Sequence, residues 1–347
     1  MNKFLLELIQ ITFDNRKALT RQLTIDEWRI LFADCKKHFV LVPAFAGVHK
    51  LPMVQMPPAQ LLETWKSEIQ TAKDRSSLLN HRCKDVCDYF DRQGFCSCVL
   101  MPLKNTCMSW DINILGWTKE KKDGVHNLVE YVNFKYVSST HHIKPKVQRQ
   151  HMDWKTGSFP VDVRFKFSYF NSPLHDRRFL AWVEKKVLSE SPQKGKDGYP
   201  IPSDTFNAVY QLIHLYRKLF CEGLRLGHLY DYYMVLRSLP KSEHEEVMRV
   251  IGRLGMKKFA GAVMYVMQTI FGVPDEYLFC KPIARNGSFV ISITMQAGEY
   301  TRAIERTRML KHLGRIGHHL YWLKRNRPFL TQYPAEVCFE LYRRIRG

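Results

Sequence analysis

The sequence predicts an α+β fold, a small mixed β-sheet core embedded in N- and C-terminal helical regions, on three observations. Helical periodicity runs through residues 1–93, short alternating or β-branched runs fill residues 94–190, and helical periodicity returns over 200–347. Helices and strands are thus segregated along the chain, which argues against a regularly alternating α/β fold. The three stretches are the expected divisions of the chain, and a single compact unit containing all three is equally compatible with 347 residues.

Residues 1–46 read as two or three short helices, with Thr24 before Ile25–Ala33 as an N-cap. The prolines between Pro52 and Pro58 mark a break. A long helix begins after Pro58, because Trp65, Ile69, Ala72, Leu79, Cys83, Val86 and Phe90 form one apolar stripe. Gly94 ends it as a C′ residue.

Four strands are then expected: FCSCVLM (95–101), WDINILGW (110–117), VNFKYVSSTHHIK (132–144) and FPVDVRFKF (159–167). KEKKDG (119–124) reads as an exposed turn or helix start, and SPQKGKDGYP (191–200) as a polar loop. Beyond it Asp204 caps a helix whose buried stripe is Phe206, Val209, Ile213, Tyr216 and Phe220. The opposite face carries Asn207, Gln211, His214 and Lys218. Further helices are expected across 226–238 and 241–271, with the Met and Tyr residues of GAVMYVMQTIF in the core.

Composition narrows the function classes. A hydrophobic fraction of 45% with 25% charged residues fits a globular protein. No apolar run is long enough for a transmembrane helix, and MNKFLLELIQITFDNRK lacks the plan of a secretory signal, so a cytoplasmic protein is expected. Nine scattered cysteines, including Cys83, Cys87, Cys96, Cys98 and Cys107, lack the paired spacings of zinc ribbons and read as reduced thiols. A formal charge of +20 points to a polyanionic partner: a nucleotide, a nucleic acid or an anionic membrane face. Residues 301–347 hold 11 Lys or Arg against 3 acidic residues. Arg302, Arg306, Arg315, Lys324, Arg325 and Arg327 in that segment serve equally as a solvated face or a binding surface.

The chemistry-bearing residues lie in the strand region. On a strand Asp111 and Asn113 share one face while Ile112 and Ile114 share the other, and a second strand presents Asp162 between Val161 and Val163. Oxygen ligands converging from neighbouring strands suit magnesium, which clamps phosphate oxygens and lowers the pKa of an attacking group. No Gly-rich phosphate loop, Ser-His-Asp grouping or GxSxG elbow is present.

These segments, SCVLMPLKN, SWDINIL, YVSSTHHIKP and FPVDVRFKFSYFNSPLHDRR, are followed by FNAVYQLIHLYRKLFCEG, LYDYYMVL, RLGMKKFAGAVMYVMQTIFGV and YPAEV. In order and spacing, over nearly the whole chain, they resemble an uncharacterised bacterial nucleotidyltransferase family, common in gut Bacteroidales, of the DNA-polymerase-β-like superfamily. The resemblance implies transfer of a nucleoside monophosphate from an NTP to an acceptor, with Mg2+ or Mn2+ held by Asp111, Asn113 and Asp162. It makes Asp111 and Asp162 the catalytic carboxylates, with Asp162 as base for the acceptor. Lys104, Ser109, Arg164, His214, Lys218 and Arg225 become the phosphate-binding set.

Several positions depart from the family pattern. Asn113 stands where a second Asp is usual, Trp110 replaces a Gly, and Met101-Pro102-Leu103-Lys104 shortens a Lys-Gly segment. Arg164 and Lys218 each stand in place of a His, and Leu224-Arg225-Leu226-Gly227 rearranges a Gly-Leu-Arg segment. One carboxylate is lost and fixed cations are gained, so a second reading stands beside the enzyme: a binding module that holds nucleotide or nucleic acid through Lys104, Arg164, Lys218 and Arg225 without turnover. His141 and His142 face opposite sides of their strand and read as structural, His318 and His319 as surface residues, and Asp231 as a cap, an ion-pair partner or a substrate contact. The acceptor is not specified by any motif.

Overall fold

The computed structural model describes residues 3–92, 94–100, 112–117, 146–147, 151–156, 159–164, 170–189, 192–221, 223–296 and 326–346. It is an α+β fold. Helices α1 (Lys3–Thr12), α2 (Ile25–Lys37) and α3 (Leu41–Val48) open the chain, followed by the 34-residue α4 (Ala59–Arg92). Thr24 caps α2 in a reciprocal box: its hydroxyl accepts from Glu27 N, and the Glu27 carboxylate accepts from Thr24 N. Thr24→Ala should therefore cost about 1 kcal/mol in chemical denaturation at constant m-value.

The stripe read from the sequence is the buried face of α4. Trp65, Ile69, Leu79, Cys83, Val86 and Phe90 are all buried, and the Trp65 indole N–H donates to Leu41 O at 3.0 Å. Ala72 alone of that stripe is half-buried. Gly94 adopts φ +80° after the helix, the left-handed conformation expected of a C′ glycine.

Five strands form a mixed sheet in the order β1-β2-β5-β4-β3. They are β1 (Cys96–Val99), β2 (Ile112–Trp117), β3 (Lys146–Val147), β4 (His151–Thr156) and β5 (Phe159–Arg164). β2 and β5 are parallel neighbours, whereas β1–β2, β3–β4 and β4–β5 are antiparallel. β1, β2 and β5 lie where strands were expected, and the expected strand over 132–144 lies outside the described residues. β4 has no counterpart among the expected strands. Its alternation of Met152 and Trp154 with His151, Asp153 and Lys155, ending two residues before Phe159, is nevertheless a hairpin pattern.

The sheet has two different faces. Ile112, Ile114, Val161, Val163, Met152 and Trp154 fall on one of them by register. Helix α4 packs on β1 and β2, and Ile114 and Val99 are buried. Positions Asn113, Asp162 and Asp153 share the other face. On that face Cys98, Leu100 and Leu115 join the main hydrophobic core, which also takes in residues from α1, α2 and α3 and from the C-terminal helices.

The remaining described helices are α5 (Pro173–Ser189), α6 (Asp204–Cys221), α7 (Leu226–Ser238), α8 (His244–Arg253), α9 (Lys257–Phe271), α10 (Ala284–Met295) and α11 (Pro334–Arg346). Two expectations are corrected here. The polar loop 191–200 contains all but Ile201 of a short antiparallel hairpin, β6 (Gln193–Lys194) with β7 (Pro200–Ile201). The helix expected over 241–271 is a 3-10 turn and two helices, broken at Leu254–Met256, where Gly255 takes φ +70°. On the polar face of α6, Asn207 and Gln211 are buried, and the Gln211 amide donates to Asn207 Oδ1 at 2.8 Å. The stripe Phe206, Val209, Ile213, Tyr216 and Phe220 is buried, as are all but one of the Met and Tyr residues of α9.

Candidate functional site

The register of the sheet sets up the first group of candidate residues. Asn113 on β2 pairs with Asp162 on β5, and Asp162 pairs in turn with Asp153 on β4. Asp153 also pairs with Lys146 on β3. One lateral row, on one face, therefore reads Asn113, Asp162, Asp153, Lys146. Two registers along, the row reads Leu115, Arg164, His151.

By register Asp162 and Asp153 occupy adjacent positions, with Lys146 next to Asp153. Asn113 is half-buried and described, while Asp111, Lys104 and Ser109 lie outside the described residues. Asp153 is the member of this row that reading the motifs missed, because the strand that carries it was missed.

The second group is helical. His214 and Lys218 lie one turn apart on α6, both half-buried. Arg225 is the N-cap residue of α7, and its guanidinium sits over the Phe39 ring at 4.3 Å from the centroid. Its backbone N–H donates to His228 Nδ1 at 3.1 Å. Burial and the cations of Lys218 and Arg225 hold His228 down to about 3. His228, which Arg225 thus engages at the start of α7, is a histidine that motif reading did not single out. The signal available was its position, the third residue of a helix, where a side chain reaches back to the N-cap amide.

A third group supports both. The Asn171 amide, just beyond β5 and before α5, donates to Glu336 Oε1 on α11 at 2.6 Å. Arg217 on α6 donates to the same oxygen at 3.4 Å. Burial raises the Glu336 carboxyl above its usual range, with Arg217 and the hydrogen bonds from Asn171 and Tyr216 opposing. The FNSP and YPAEV segments, far apart in the chain, meet at this bridge.

The comparison with protein families bears on the stretch that contains the row and the α6–α7 junction. Residues 112–272 match the family model of an uncharacterised nucleotidyltransferase. The match covers less than half of the chain. This nucleotidyltransferase-like segment is narrower than the near-complete resemblance read from the sequence. It begins just after Asp111, spans β2 to α9, and contains Asp153, Asp162, Lys218, Arg225 and His228. No curated protein and no solved structure matches the chain. Among the described residues no helix is long and apolar enough to cross a membrane.

Proposed function

We propose that the protein transfers a nucleoside monophosphate from an NTP to an acceptor, using a divalent cation held at the Asn113–Asp162–Asp153 row together with Asp111. The observation that carries this reading is the register, which lines up two carboxylates and an amide from three strands inside the nucleotidyltransferase-like segment. The donor set fits Mg2+ or Mn2+, which prefer hard oxygen ligands and accept an amide carbonyl beside carboxylates. When bound, the metal supplies charge neutralisation at the phosphates and acidifies an attacking hydroxyl.

The protein's own residues have distinct roles in this reading. Asp162 and Asp111 orient the reacting groups, and Asp162 accepts the proton of the acceptor hydroxyl. Asp153 restores the negative charge that Asn113, standing in the second carboxylate position, does not bring. Arg164, on the same strand as Asp162 and two residues on, and Lys104 and Ser109 offer hydrogen-bond donors to phosphate oxygens. The acceptor, whether protein, nucleic acid or small molecule, is left open by these residues. The basic composition favours the alternative of metal-free polyanion holding through Lys104, Arg164, Lys218 and Arg225, and that alternative expects no turnover.

Asn113→Asp separates the two. Adding a third carboxylate to the row should lower the Mn2+ concentration needed for half-maximal binding about tenfold. It should also lower the melting temperature of the metal-free protein, with Mn2+ restoring it. Incubation with radiolabelled NTPs and Mn2+ should give label transfer in the wild type. Absence of transfer combined with no change in Mn2+ binding in Asn113→Asp would sink the metal-dependent reading.

A further inference from the structure

We propose that the start of α5 and the α8–α9 junction form a binding surface for the phosphate backbone of base-paired nucleic acid. None of its residues belongs to the sheet row, so the inference stands apart from nucleotidyl transfer. Its cations are Arg177 and Arg178 on α5, Arg253 at the end of α8, and Lys257 and Lys258 at the start of α9. All five are exposed.

Two stretches far apart in the chain meet here. The Arg178 guanidinium donates to Arg253 O at 3.1 Å. A Cβ added at Gly255 would lie 2.7 Å from His175 Cε1, so the bare glycine, at φ +70°, lets the His175 ring seat against the α8–α9 turn. Within that turn the Lys257 side chain lies along Gly252, where an added Cβ would meet Lys257 Cε at 2.8 Å. The Lys258 ammonium donates to Gln332 O at 2.6 Å. α5 is thereby fixed against the α8–α9 turn, and its two arginines join the three cations of the turn in one patch.

The charge of this patch is ordered but not neutralised. Arg178 and Lys258 donate to main-chain carbonyls, which hold a side chain in place without cancelling its charge. Among the described residues none of the five pairs with a carboxylate. The acids closest in sequence are engaged elsewhere: Glu246 with Arg249, and Asp176 with Phe170 N at 3.0 Å. The polarity of α9 adds to the effect. A helix N-terminus favours carboxylates, yet α9 opens on two lysines with no acidic residue in its first turn. Cations set against the dipole and beside arginines raise the local positive potential at a cost to the free protein, and a bound polyanion relieves it.

The chemistry of the face distinguishes among polyanions. Guanidinium forks and lysine ammoniums suit phosphate oxygens, the groups that position a protein on a duplex. Surfaces for single strands interleave aromatic rings on which bases stack. Here the His175 ring is covered, edge-on to Phe170 at 6.2 Å and against the turn, and Tyr333 beneath Lys258 is buried. A membrane surface asks for apolar side chains to insert. Among the described side chains of α5, α8 and α9, Leu174 is the only large apolar one that is exposed.

Fluorescence anisotropy on the full chain with a short labelled duplex, DNA and RNA in parallel, tests this. The wild type should bind, and the logarithm of its affinity should fall against the logarithm of salt with a slope of about −3 to −5. The triple variant Arg177→Gln, Arg253→Gln, Lys257→Gln changes exposed side chains only. It should weaken binding about a hundredfold and make the slope shallower by about 2–3. The same loss of charge elsewhere on the surface, Lys17→Gln, Lys37→Gln, Lys73→Gln, should leave affinity within about twofold. Equal binding of the two duplexes would assign the face to the phosphates they share, and binding of one alone would assign it to that helical form. Equal weakening by the two triple variants would overturn the proposal, because net charge and not this face would then hold the duplex. Absence of duplex binding by the wild type, or tighter binding of the single strand, would overturn it without dependence on any variant folding. Loss of binding to phosphatidylserine vesicles in the first triple variant, with duplex binding intact, would assign the patch to a membrane and overturn it as well.

Discussion

Asp162→Asn is expected to lower nucleotidyl transfer roughly a thousandfold, the equivalent of about 4 kcal/mol of transition-state stabilisation. Asp162 is the one carboxylate that stands beside both Asn113 and Asp153 in the row, so it is central to any cation held there. The substitution removes a charge without changing the size of the side chain, and β5 pairs through its backbone, so the sheet should persist. In the metal-free protein the relief of carboxylate repulsion should even raise the melting temperature slightly. Asp153→Asn should give a smaller loss of activity, partly recovered at high Mn2+. Label transfer that survives Asp162→Asn at the wild-type rate would remove the row from the chemistry.

Arg217→Met should be the most damaging single change to stability outside the apolar core, at about 3–5 kcal/mol near pH 7. Glu336 is 7% exposed at its side chain and Arg217 is 11% exposed, so loss of the guanidinium leaves a buried carboxylate with Asn171 and Tyr216 as its remaining polar partners. The pH dependence has a definite sign. Burial already raises the folded-state pKa of Glu336, and removing the cation raises it further. The folded variant therefore holds a proton that the unfolded chain releases, and its stability falls as pH rises above the unfolded carboxylate pKa. The gap between variant and wild type should shrink as pH drops toward 5 in denaturant titrations. A gap that is constant from pH 5 to 8 would show that packing around Arg217, and not the unpaired charge, is what the substitution disturbs.

Most of the helical frame was legible in the sequence because a buried stripe at helical spacing is a local property. α4 declared itself through Trp65, Leu79, Cys83 and Phe90, and the α2 cap through Thr24 and Glu27. What local patterning does not carry is which strands become neighbours. The row depends on the parallel pairing of β2 with β5 and on the β4–β5 hairpin, and β4 was overlooked because Asp153 and Lys155 make it look like a polar connection. The burial of Asn207 and Gln211 was illegible for a related reason. Their hydrogen bond lets polar side chains enter the interior, where spacing alone assigns them to solvent.

The bridge at Glu336 also has a bearing on how the chain is made. A ribosome releases Asn171 and Arg217 long before their common partner, which follows 165 and 119 residues later. Until α11 emerges, the nascent protein carries an arginine and an asparagine at sites destined for the interior, beside the aromatic surface of Tyr216, Phe220 and Phe259 that Tyr333 completes. Closure of the described core thus waits on α11, and a transcript truncated before Pro334 would yield a chain that stays open to chaperones and proteases.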